Sequence, residues 1–429
     1  MKRSRKTAVV AACFLMVLIT LGFCSSNKGL YLSAITQALG LKRSLFSVND
    51  SIRFITSAAV SLFFGTMIRK YGPRKLIAAG FVSLICSVLL YSVSNNIPGF
   101  YLGGALLGFG LAWTTTSMVG YLIGKWCPDN RGTIMGFVLA ANGIGGAAAA
   151  QIVSPIIYQE GNAFGYRSAY RLVALILLIT GILVVSVIRE PESAAGTAAP
   201  GKKRRGRQWT GISYEEAKKS TYFYIAVASV FLTGMVLQSV NGVGAAHMRD
   251  AGLDPAYVAN VWSIHSLVLA CAKFFTGFLY DKKGMRLTIL FCQILSVAAI
   301  ISMIFVGTSP AGKVMAASYC VISSFALPLE TIMIPLIASD LFGEKAYAKI
   351  MGILLAFNTG GYAVGSPLTN LVYDRTGSYV PMFYVLIALM AAVIVLFQTA
   401  LRKAEKVRAA VESGEMPPLQ QSVGNEIEK

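Results

Sequence analysis

Three cations stand inside long apolar runs of this sequence: Lys28, Arg53 and Lys273. A cation at the centre of a lipid-spanning helix costs about 2.5–3.5 kcal/mol on insertion scales, so such residues turn toward a protein interior or a water-filled cavity. Gathered there, they would make a site for an anion, since ammonium groups act on a carboxylate as compact point charges. Lys28 could instead snorkel to the surface, and Arg53 could simply pair with Asp50 three residues earlier. Lys273 lies four residues before Gly277 and is the hardest of the three to explain structurally. One acid, Glu330 in SSFALPLETIMIP, lies deep in a run. It is a proton carrier, a partner of Lys273 in the empty site, or a silent packing residue. His265, eight residues before Lys273, shares its helix face roughly; a hydrogen-bonded structural histidine competes there with a proton relay. Asn142 and Asn358 could orient substrate oxygens or tie neighbouring helices, and Tyr121, Trp113 and Tyr362 could shape a cavity.

Other chemistries find little support. The seven cysteines contain no CxxC pair, and only His247 and His265 could join a metal site, so neither metal nor cofactor is expected. No GxxxxGK[ST] run occurs, so nothing suggests direct use of ATP, and the chain does not read as an enzyme.

The elements that must position these residues follow from composition. Of 429 residues, 55% are hydrophobic and 13% charged, and the mean hydropathy is +0.63. Soluble domains carry about a quarter charged residues. A helix needs about 20 apolar residues to cross the hydrocarbon core, and lipid leaves helices as the only plausible spanning element here. Twelve apolar runs qualify: 8–37, 45–68, 75–95, 98–124, 132–158 and 167–188, then 220–246, 256–280, 286–307, 313–338, 347–373 and 379–401. The first, behind MKRSRK, reads as an uncleaved helix and not as a signal peptide. The sequence therefore predicts an all-α membrane protein with a six-helix bundle over 1–188, a polar connector over 189–219, a second bundle over 220–402 and a tail over 403–429. The connector's KKRRGR and SYEEAKKS suit a topogenic linker or contact with anionic lipid.

The formal charge of +19 divides unevenly. Of 38 Lys and Arg, 28 fall on the segments facing the same side as both termini, 7 on the opposite loops and 3 within spans. The positive-inside rule then places both termini in the cytoplasm and the chain in a plasma (inner) membrane. A chain so poor in charge overall is not expected to bind nucleic acid.

The halves repeat one another. GTMIRKYGPRK at 65–75 returns as GFLYDKKGMRL at 277–287, and IMGFVLAANGIGG at 134–146 returns as IMGILLAFNTGGY at 350–362, which aligns Asn142 with Asn358. The first offset maps Arg53 onto His265. Parallel six-helix repeats mark a transporter that rocks around a central site. Gly65 and Gly277 would allow close helix approach, and Gly72 and Gly284 a turn at positive φ. Arg74, Lys75 and Arg286 would supply cytoplasmic charge or meet helix C-termini during gating.

Both loops resemble the signature of the major facilitator superfamily. Asp281 fills the acidic position that family places four residues after the first glycine; Arg69 fills it in the first copy. GFCSSNKGLYLSAI at 22–35, ALGLKRSLFSVNDSIRFITSA at 38–58 and ACAKFFTGFLYDKKG at 270–284 resemble the monocarboxylate and oxalate/formate transporter branch. That resemblance implies a substrate-binding lysine at Lys28 and a binding cation at Lys273, where the branch more often has arginine. Leu269 replaces the aspartate of the animal lactate-type members, and 350–372 lacks the lysine of oxalate carriers. The expected function is secondary active transport of a small organic anion, a monocarboxylate of the lactate, pyruvate or formate type, with proton symport and anion exchange both open. The expected partners are that carboxylate, membrane lipid and protons. A carrier of another solute (sugar, drug, nitrate or dicarboxylate) and a non-transporting carboxylate sensor are the rivals.

Overall fold

The computed structural model describes residues 2–127, 131–188, 211–331, 333–343, 345 and 347–412. Much of the connector and the end of the tail lie outside the described residues. Within them every element is an α-helix. The first half comprises α1 (Lys2–Cys24), α2 (Lys28–Leu39), α3 (Arg43–Val93), α4 (Ile97–Thr114), α5 (Thr116–Trp126), α6 (Arg131–Ile157) and α7 (Gly165–Val187). A short α8 (Tyr214–Lys219) leads into α9 (Thr221–Asp250), α10 (Pro255–Ile304), α11 (Pro310–Ala326), α12 (Pro328–Thr331), α13 (Met333–Phe342), α14 (Tyr347–Thr376) and α15 (Val380–Glu412). The chain is a multi-pass membrane protein with the twelve crossings arranged as two six-helix bundles.

Two of these helices, α3 and α10, each cover two crossings. Straight, the 51 residues of α3 would reach about 77 Å, more than twice the hydrocarbon thickness. The helix instead doubles back at Gly72 (φ 75°, ψ 164°), and the 50-residue α10 does so at Gly284 (φ 77°, ψ 175°). That backbone region is essentially closed to residues with a Cβ. The expected turns are therefore present, but as single residues and not as loops. Arg74, Lys75 and Asp281 are exposed beside these turns. Arg286 donates from Nε to Gln398 Oε1 at 2.9 Å, so it ties α10 to α15 where a helix C-terminus was expected. The close approach expected at Gly277 is not made: a Cβ there would meet nothing within 4 Å. The packing around Gly65 lies outside the described residues.

Three crossings expected to be continuous are broken. The first breaks at 25–27, where the Ser25 and Ser26 N–H groups both donate to the Leu21 carbonyl. Asn27 holds the break by donating from Nδ2 to the Gly22 and Gly146 carbonyls at 3.1 and 3.0 Å. The fourth breaks at Thr115, and its repeat, the tenth, breaks at Leu327, between α11 and α12. Broken helices are tolerated at membrane depth where they line a cavity.

Inside the first half α1 packs on α6, and α3 on α4 and α7; inside the second, α9 packs on α14 and α15, and α10 on α11. The most extensive contacts between the halves are α3 with α14, α6 with α10, and α2 with α9. Along α6 the fit is graded. A Cβ on Gly143 would stand 2.5 Å from the Ser266 carbonyl, whereas one on Gly136, two turns nearer the α3 and α10 turns, would meet nothing closer than Phe274 at 3.9 Å. The halves are tight at one end and part toward the other.

Candidate functional site

Between the halves lies a cavity of about 250 Å³. This is below the ~300–1,000 Å³ usual for drug-sized ligands and suits a small solute. Lys28, Arg53, Asn142, His265, Lys273, Glu330 and Tyr362 all line it, although they come from residues up to 334 positions apart. Two of the broken crossings deliver Lys28 and Glu330; the intact runs of α3 and α10 deliver Arg53 and Lys273.

The first half contributes a compact ionic group. Lys28, the first residue of α2, turns inward and pairs with Asp50 Oδ1. It therefore does not snorkel. Arg53 donates from Nε to that same Oδ1 at 2.7 Å and from Nη1 to Ser25 Oγ at 3.0 Å, with its guanidinium carbon 3.9 Å from the centre of the Phe54 ring. Two cations thus share one carboxylate oxygen, leaving one net positive charge on this wall. Asn142, on the cavity wall, uses its Oδ1 to accept from Ser26 Oγ at 2.9 Å, which ties α6 to the break.

The second half contributes a less satisfied set. Among the described residues Lys273 makes no ion pair or hydrogen bond, and the Oε1 atom of buried Glu330 has no partner. Tyr362 lies beside the Glu330 carboxyl and packs at 5.0 Å, centre to centre, on Phe54 of the first half. His265 donates from Nδ1 to the Cys320 carbonyl at 2.8 Å, which fixes the tautomer and leaves Nε2 as an acceptor. This is the hydrogen-bonded histidine that the sequence allowed, placed on the cavity wall. Leu269, Gln238 and Asn241 complete this side.

Three expected lining residues are elsewhere. Asn358 is buried against α9 and donates from Nδ2 to the Val230 carbonyl at 3.3 Å, so it ties helices together. Tyr121 does not reach the cavity; Lys125 lies over its ring at 4.5 Å. Trp113 is likewise absent from the wall and packs on Phe109.

Sequence reasoning missed the structure that closes one end. Arg43, at the start of α3, pairs bidentately with Asp250 at the end of α9, donating from Nη2 to Oδ1 at 2.8 Å and from Nη1 to Oδ2. It also donates to the Tyr379 hydroxyl at 3.0 Å and to Ser33 Oγ at 3.1 Å, and lies 4.1 Å from the centre of the Tyr373 ring. Asp374 of α14 accepts the N–H groups of Arg43 and Ser44 at 3.0 and 2.9 Å, so a residue of the second half caps a helix of the first. Ser51 donates to the Ala363 carbonyl, and Gln151 donates to Asn260 and Ser263 at 2.7 and 3.0 Å, on the same side of the cavity. Chemically, the whole is a cation-rich chamber with one ion-paired acid, Asp50, and one acid without a cationic partner among the described residues, Glu330, closed at the clasp end and flanked by parting helices at the other.

Comparison with known proteins agrees with this architecture. The family model of the Major Facilitator Superfamily matches residues 12–339 and 228–422. The oxalate:formate antiporter of Oxalobacter formigenes is 24% identical over 356 residues, covering 81% of this chain and 80% of that protein. Monocarboxylate transporter 13 of Bos taurus is 26% identical over 329 residues, covering 75% and 72%. Among solved structures, the nucleoside transporter NupG superposes with a TM-score of 0.72 at 12% identity, over 92% of this chain and 98% of that one, a likeness of fold alone.

Proposed function

The chain belongs to the Major Facilitator Superfamily of membrane transporters, and on that premise we propose that it carries a small organic anion, a monocarboxylate of the lactate, pyruvate or formate type, by alternating access. The observation that carries this reading is Lys273: a cation on a cavity wall between the halves, without a partner among the described residues. An unpaired charge away from bulk water is costly, and a substrate carboxylate would relieve that cost. The relatives named for oxalate, formate and monocarboxylates support the substrate class.

The carboxylate enters where the halves part, engages Lys273 on one half and Lys28 on the other, and so draws the two walls together. Its stronger interaction with the closed form supplies the bias toward closure. Closure on that side weakens the clasp of Arg43 with Asp250, and the cavity then faces the other side. With both termini cytoplasmic, as the distribution of 28 and 7 cations supports, the clasp faces outward. Glu330 is the one carboxyl on the second-half wall of the cavity and serves as the proton-coupling group.

The test is uptake of labelled formate, L-lactate and pyruvate into proteoliposomes, with and without an imposed pH gradient. Lys273→Ala and Lys28→Ala should each reduce uptake to near background, and Lys273→Arg should retain part of it. Parental rates in both alanine variants would refute the anion site.

A further inference from the structure

Asp50 occupies the place that an anion would take on the first-half wall. Its Oδ1 receives both the Lys28 ammonium and the Arg53 Nε, and it lies on the cavity surface, not behind it. All three residues belong to the first half, so their contacts do not depend on the clasp and survive rocking of the halves. Lys28 has three N–H donors and Arg53 five. A second carboxylate can therefore take Lys28 while Arg53, one helical turn along from Asp50, retains it.

Resting on the transport reading above, we propose that Asp50 is a positioning residue that acts as a built-in stand-in for the substrate carboxylate, so that the empty carrier can return and transport is net and not confined to exchange. In the empty chamber Asp50 lowers the charge of the Lys28 and Arg53 wall from two net positive charges to one, where the two cations would otherwise face each other uncompensated when the cavity closes. In the loaded chamber the substrate takes Lys28 from it. A carrier without such an internal anion closes only when loaded, which is the behaviour of an obligatory exchanger. Asp50 thus sets the mode of transport and, by competing for Lys28, lowers the affinity for substrate.

The experiment compares two modes in the same proteoliposomes loaded with radiolabelled L-lactate: efflux into lactate-free buffer, and efflux into buffer containing unlabelled L-lactate. In Asp50→Asn, efflux into lactate-free buffer should fall at least about tenfold, because one further unpaired buried charge must be closed over, while exchange stays within about threefold of the parent. Asp50→Glu should restore the parental ratio of the two rates. Titration calorimetry on the purified Asn variant should show L-lactate bound about fivefold tighter, as removal of one competing ion pair allows. A merely structural aspartate would lower both modes together, so an unchanged ratio, or weaker binding in the Asn variant, overturns the inference. A parental protein that carries none of formate, lactate and pyruvate overturns the substrate reading instead. If the Asn variant does not fold, an Asp50→Ser protein with the parental ratio overturns the inference equally.

Discussion

Replacing Arg43 by glutamine should turn the carrier toward the conformation in which the clasp end is open. The guanidinium makes two bonds to Asp250 and one each to Tyr379 and Ser33, and it is only 5% exposed against 17% for the aspartate side chain. Removing one partner of a fully buried pair costs about 3–5 kcal/mol, and of an exposed pair about 0.2–1 kcal/mol. The residual exposure of Asp250 places this one between the two limits, at about 2 kcal/mol. Since the clasp spans the two halves, that loss falls on this conformation alone and shifts the equilibrium about 30-fold. A single cysteine placed at Ser47, a buried lining residue, in a protein otherwise free of cysteine reports the shift. Its reaction with a membrane-impermeant maleimide added from the clasp side should accelerate by about that factor. Asp250→Asn should act in the same direction, and the double variant should be little worse than either single one. Labelling within twofold of the parent in all three would refute the reasoning.

Two further outcomes follow from the site and the turns. Glu330→Gln should abolish accumulation driven by a pH gradient while leaving exchange of labelled for unlabelled substrate, as flux assays at fixed and imposed pH would show; a variant that still concentrates substrate removes Glu330 as proton carrier. Gly72→Ala and Gly284→Ala should each destabilise the protein by about 1–3 kcal/mol because their φ and ψ are nearly glycine-only, read as a lowered midpoint of thermal unfolding in detergent. Gly277→Ala, where a Cβ meets nothing, should leave that midpoint unchanged or raise it.

Much of the chamber was legible because lipid makes charge conspicuous: Lys28, Arg53, Lys273 and Glu330 stood out against apolar runs, and each reaches the same cavity. The turns were legible too, since Gly72 and Gly284 recur at matched places. What escaped depends on contacts between remote segments. Arg43 reads as a loop cation, and nothing local links it to Asp250, 207 residues away, or to Asp374, 331 away. Asp50 reads only as a helical neighbour of Arg53, because its second cation comes from another helix. The repeat misled at Asn358. It matches Asn142 in sequence, but Gly234 lets α9 come so near that a Cβ there would stand 2.7 Å from Asn358 Nδ2, and the side chain is consumed by that contact. Symmetry of sequence fixes position along a helix, not what the helix faces.

The single-residue turns at Gly72 and Gly284 have a mechanical consequence. With no slack between the two arms of α3, or between those of α10, each pair of crossings moves as a stiff fork. On the proposed reading, a ligand that pulls on Lys273 in one arm of α10 must also swing the other arm, which Arg286, two residues beyond the turn, pins to Gln398 of α15. Force applied at the centre of the membrane is thereby delivered to a helix that never touches the cargo. The bundle works less like six independent rods than like a few levers whose fulcrums are glycines.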